Sequence, residues 1–160
     1  MNEKNWHIAE WHPLAWVETV TKVLALIFGI IALVGALSRG NFSLPQGWRL
    51  VQLIVLTVLS LGLVAAISDR ITEREIIAMV FVILNNLGHW GMALSLASPP
   101  GPGSLFVIFC VLMLLGDLVK LVFLKVTDFT VRDTPRAVMY GLTSFYMVGY
   151  AVLLLLEALR

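Results

Sequence analysis

Seven polar side chains interrupt otherwise apolar stretches of this chain: Glu18, Lys22, Asn85, Asn86, His89, Asp117 and Lys120. Their chemistry suits a proton, an ion or a small polar ligand. Glu18 and Asp117 can exchange a proton, and Lys22 and Lys120 can neutralise them. Of the seven, only His89 has an ordinary pKa near neutrality. Asn85 and Asn86 can donate and accept at once. On a helix, Glu18 and Lys22 stand at i, i+4, and Asp117 and Lys120 at i, i+3. Each acid therefore has a base on its own helix surface. Asn85, Asn86 and His89 share an arc of ~100°.

The setting of these residues decides their class. The chain has 160 residues, 59% hydrophobic and 13% charged, with mean hydropathy +0.93. A soluble domain carries about 45–50% apolar and about 25% charged residues. The difference excludes an ordinary water-soluble enzyme and a disordered chain. Eleven basic against ten acidic side chains give no field that would gather nucleic acid. The sole cysteine, Cys110, excludes a disulfide framework and a cysteine-based metal site. No metal site is expected elsewhere either. His7 and His12 stand at i, i+5, off a common helix face, and no His-Glu-x-x-His run exists.

Five apolar spans run from about Pro13 to Leu37, Trp48 to Ile67, Ile76 to Ala97, Leu105 to Val126 and Pro135 to Ala158. Each reaches the ~20 residues needed to cross a bilayer as a helix. The expected fold is all-α: a polytopic integral membrane protein with a bundle of five transmembrane helices. The alternative is four spans plus one re-entrant segment. Residues 1–12 form an interfacial N-terminal segment, and 13–160 a single transmembrane domain. Asn41 to Gly47 and Ser98 to Ser104 are turn-rich breaks. Thr72 and Glu75 have capping-box spacing for the third helix. Thr134, Pro135 and Asp133 suit the start of the fifth. The loops are too short to hold a soluble catalytic domain, and no internal repeat is present.

Lys4, Arg70, Arg74, Lys125, Arg132 and Arg136 would share the side of the N-terminus, against Arg39, Arg49 and Arg160 opposite. That bias places the N-terminus in the cytoplasm and the C-terminus outside. Met1 to His12 is polar and does not resemble a signal peptide. Trp6, Trp11 and Trp16 suit a headgroup anchor. The Asn41-Phe42-Ser43 sequon lies too close to the membrane to argue for glycosylation.

Counted from the proposed inner boundary, Glu18, Lys22, Asn85, His89, Asp117 and Lys120 lie ~6–20 Å deep. Charged groups at such depth face protein or water and have partners. Glu18, Lys22, Ala25, Gly29, Ala32 and Ala36 form one stripe, so the small residues mark the buried face of the first span. Ala137, Gly141, Ser144 and Ala151 repeat the pattern on the fifth. The expectation is a polar cavity, open to the inner side and walled by spans one, three and four. Its seven polar residues are the candidates for ligand or proton binding. No catalytic set is selected, and no cofactor is assigned. A single axial histidine, His89, would suffice for a haem or pigment.

The leading reading is a subunit or assembly component of a larger membrane complex, whose partners are other membrane subunits or a second copy of itself. The alternative is a small-molecule, proton- or ion-coupled transporter using the polar cluster. A membrane enzyme on a lipid or quinone comes third.

Overall fold

The computed structural model describes residues 11–73, 76–129 and 134–159, without the side chains of 66–73 and 76–78. Its five helices are α1 (Pro13–Arg39), α2 (Trp48–Glu73), α3 (Ile76–Leu96), α4 (Ser104–Val126) and α5 (Arg136–Ala158). Each is long and apolar enough to cross a membrane. Five such helices agree with the five-span expectation by length and composition. Lys4, Trp6, His7, Arg74, Glu75, Arg132, Asp133 and Arg160, and the side chains of Arg70 and Thr72, lie outside the described residues. The capping box and much of the charge count fall there.

The helix ends follow local chemistry. Pro13 supplies the first turn of α1, where no N–H partner is needed. His12 precedes it, and its Nδ1 accepts the Leu14 N–H at 3.2 Å. Gly40 ends α1 in the left-handed region (φ 63°) and donates its N–H to Ala36. Thr134 does not cap α5. Pro135 occupies the cap position with φ −58° and ψ 137°, an extended conformation, so the helix starts one residue later. Arg136 then folds its guanidinium back onto the carbonyls of Leu124 and Thr127 at the end of α4.

α1 packs on α3 and α4, α2 on α3 and α5, and α4 on α5. The helices therefore form a closed ring in the order α1–α3–α2–α5–α4. One end of the ring holds Pro13, and the other holds Arg39 and the loop at Ser98. Arg39 Nε donates to Ser98 Oγ at 2.9 Å across that end.

The ring buries a few polar side chains within a mostly apolar core and is apolar outside. Gln52, Ser60, Asn86, His89, Asp117 and Thr143 are buried, while Val34, Leu61, Val148 and Leu155 are exposed. A protein folded against water would not leave so many large apolar side chains over its outer surface. Between α2 and α5 the outer surface opens into a groove of about 260 Å³. It is lined by Ile54, Val58, Leu59, Phe145, Gly149 and Val152.

The tightest approach is between α1 and α3. Ala25, Gly29, Ala32 and Ala36 are the buried residues of α1, as the small-residue stripe predicts. A Cβ on Gly29 would stand 2.5 Å from the Gly88 Cα, and one on Gly91 would collide with the Gly29 carbonyl oxygen. The two backbones touch because none of the three residues has a side chain.

Gly29→Ala is therefore expected to destabilise the protein by about 1–3 kcal/mol or more, the cost of overpacking a core. Gly141→Ala meets nothing within 4 Å and is expected to leave stability unchanged. Denaturant unfolding of both variants in detergent measures the difference. Equal stabilities would contradict the backbone contact.

Candidate functional site

The seven candidate residues make their contacts in two places. They divide into a charged group between α1 and α4 and an uncharged group reaching from α3 to α2 and α5.

The charged group stands toward the Pro13 end. Lys22 and Asp117 are each nine residues inside their helices from that end, hence at a common depth of ~14 Å. Lys22 Nζ donates to Glu18 Oε1 at 2.7 Å and lies 2.8 Å from Asp117 Oδ1. Lys120 Nζ reaches the same Glu18 oxygen at 4.0 Å. The Glu18–Lys22 pair is thus local, as its spacing predicts. Asp117 has a close partner on α1, across the helix interface. Gly116 makes this geometry available: a Cβ there would lie 3.1 Å from Lys22 Cγ. The lysine stem crosses α4 at the one residue with no side chain, and its head meets the carboxylate of the next.

The uncharged group lies deeper. His89 is fully buried. Its Nδ1 stands 2.8 Å from the backbone oxygen of Asn85. A carbonyl only accepts, so Nδ1 carries the hydrogen. In the neutral ring, Nε2 is then an acceptor, and the Tyr150 hydroxyl donates to it at 2.6 Å. Phe109 meets the imidazole edge-on, with ring centres 5.3 Å apart. Both ring nitrogens are engaged, so a haem or pigment on His89 would have to displace Tyr150.

Asn86 turns to α2, where Ser60 Oγ donates to its Oδ1 at 2.5 Å. Asn85 is half-buried and contributes its backbone carbonyl to His89. Tyr146 stacks on Tyr150 and donates to the Leu59 carbonyl at 3.1 Å. Gly62 leaves the room for that hydroxyl. The two groups are not isolated. Phe109 packs on the His89 ring, so the helix that carries Asp117 also borders the uncharged group.

A third polar contact lies toward the Arg39 end, where Gln52 Nε2 donates to Glu157 Oε2 at 2.9 Å. Among the described residues, two buried side-chain acceptors have no partner: Asp117 Oδ2 and Gln52 Oε1. No group of three or more His, Cys, Asp or Glu is placed to hold a metal there.

Sequence reasoning missed Tyr150 as the partner of His89, together with Ser60, Gln52, Glu157 and Gly116. The usable signal was weak: each is a hydrogen-bonding group or a glycine inside an apolar span. Which helix faces which is not written in the spacing of one span.

Compared with family models, curated proteins and solved structures, the chain matches none.

Lys22→Met removes the base shared by two carboxylates and is expected to cost about 3–5 kcal/mol, as for a broken buried pair. Adding Asp117→Leu removes the stranded charge and is expected to restore much of the loss. Tyr150→Phe leaves His89 Nε2 without its donor, at about 1–3 kcal/mol. Unfolding curves of these variants decide the matter. A Lys22→Met protein as stable as the parent would contradict the pairing.

Proposed function

We propose that the chain is a small multi-pass membrane protein that carries protons, or a solute coupled to them, through the interior of its helical ring. On this reading the Pro13 end faces the cytoplasm, in keeping with the positive-residue bias. The observation that carries the proposal is Asp117. The residue is 4% exposed, one carboxylate oxygen is paired with Lys22, and the other has no partner. A purely structural ion pair in a low-dielectric interior gains most when every lone pair is satisfied. An unsatisfied carboxylate oxygen at depth is instead a place for a proton or a donor to arrive.

The chemistry follows from the contacts. A proton taken at Asp117 Oδ2 neutralises the carboxyl and weakens its hold on Lys22, which keeps Glu18. A proton delivered to His89 enters at Nε2, because Nδ1 already carries one. The ring then donates from both nitrogens, and the Tyr150 hydroxyl must turn from donor to acceptor. Neither step needs a cofactor.

A second reading, a subunit of a larger membrane complex, has one observation in its favour. Ala137, Gly141, Ser144 and Ala151 lie on the exposed surface of α5. Small residues in that position allow another helix to approach closely. The corresponding stripe of α1 is used up inside the chain, against α3.

The transport reading predicts proton uptake by proteoliposomes containing the purified protein under an imposed pH gradient. Asp117→Asn and His89→Leu are each expected to reduce that flux at least tenfold while the protein still folds. Flux at the parental level in both variants would exclude the reading. Purification in mild detergent with a stoichiometric partner would favour the second.

A further inference from the structure

Beyond His89 and Tyr150, the ring interior loses its polarity and then regains it. Tyr150, Leu153 and Glu157 share one face of α5 at i, i+3 and i+7, and Gln52, Leu56 and Ser60 share one face of α2 at i, i+4 and i+8. Facing helices thus present the same order: polar, apolar, polar. Leu56, Leu153 and Met92 of α3 are fully buried and form the apolar layer. The Gln52–Glu157 contact closes the layer on the side of the Arg39 end.

The orientation of Gln52 in this contact is dictated by its partner. A carboxylate only accepts, so the amide must turn Nε2 toward Glu157. Its carbonyl oxygen is thereby turned elsewhere. Gln52 is 0% exposed, and this oxygen has no donor. A tie between two helices requires only the Nε2 bond. A leftover acceptor beside a carboxylate suits a small donor such as water or hydronium.

We infer that Gln52 and Glu157 form a second site, binding water or a hydrated proton at the Arg39 end of the ring. It is separated from His89 and Tyr150 by the layer of Leu56, Met92 and Leu153. As an entry point for protons it rests on the transport reading; as a water-binding site it stands without it. The ring then has a proton-binding group on each side of the His89–Tyr150 pair, Asp117 on one side and Glu157 on the other. Leu56, Met92 and Leu153 themselves offer no hydrogen-bonding side chain between Glu157 and the centre.

Two measurements test this. In the first, Gln52→Cys and Leu56→Cys are each placed in a Cys110→Ala background. Proteoliposomes are treated with a membrane-impermeant, charged thiol reagent applied to either side. Labelling at position 52 from the Arg39 side alone, with position 56 protected, supports the site. No labelling at position 52, or equal labelling at 56, overturns it. Glu157→Cys gives the second labelling position if Gln52→Cys fails to fold.

The second measurement is proton flux. Glu157→Gln is expected to lower it at least tenfold. Parental flux in Glu157→Gln, together with blocked flux in Asp117→Asn, overturns the entry role and leaves the transport reading intact. Absence of flux in the parent removes both the transport reading and the entry role, and the labelling then decides the water site.

Discussion

An ammonium group at depth in an apolar surround must be neutralised where it stands, and Lys22 is neutralised by two acids on two helices. Much of the ring's geometry follows from this. Glu18 is one turn away on α1, so that pair forms wherever the helix goes. Asp117 belongs to α4, so the second pair fixes the depth of α4 against α1. The contact further requires the lysine stem to pass over Gly116. Once α1 is set in depth against α4, its small residues are set against α3, and the backbones meet at Gly29, Gly88 and Gly91.

The charges and the glycines contribute in different ways. Hydrogen bonds between helices in a membrane average about 0.6 kcal/mol, so the bonds at Tyr150, Ser60 and Tyr146 do not by themselves hold five helices together. Dispersion across close backbone contacts has to supply most of that attraction. Polar contacts choose among the registers that packing permits. Moving α3 by one residue along α2 would keep much apolar contact, yet it would part Asn86 from Ser60. Burying either group unpaired costs more than the bond itself gains.

This division explains what was legible in the sequence. The spans were legible because a bilayer demands a length and a hydropathy, and α1, α2, α3 and α4 start within a residue of the expected positions. The Glu18–Lys22 pair was legible because it is local. The contact of Asp117 with Lys22 was not, because i, i+3 spacing points only to Lys120 while the fold brings α1 alongside. Nor was the link from His89 to Tyr150, 61 residues apart, because it depends on the order of helices around the ring. The start of α5 shows a smaller failure of the same kind. Proline is compatible with both the cap and the first turn, and the extended ψ of Pro135 selects the cap.

The His89–Tyr150 bond has a property that neither residue has alone. The Asn85 carbonyl accepts from Nδ1, which commits the neutral ring to one tautomer and leaves Nε2 as an acceptor. That in turn commits the Tyr150 hydroxyl to donate. The three groups therefore have one internally consistent arrangement when the ring is neutral and a different one when it is charged. The two differ by a rotation of one hydroxyl. Both keep every hydrogen bond among the three, but in the charged arrangement the Tyr150 O–H hydrogen turns away from Nε2 and needs another acceptor. Proton uptake at this pair is therefore local to α3 and α5 and involves no backbone movement.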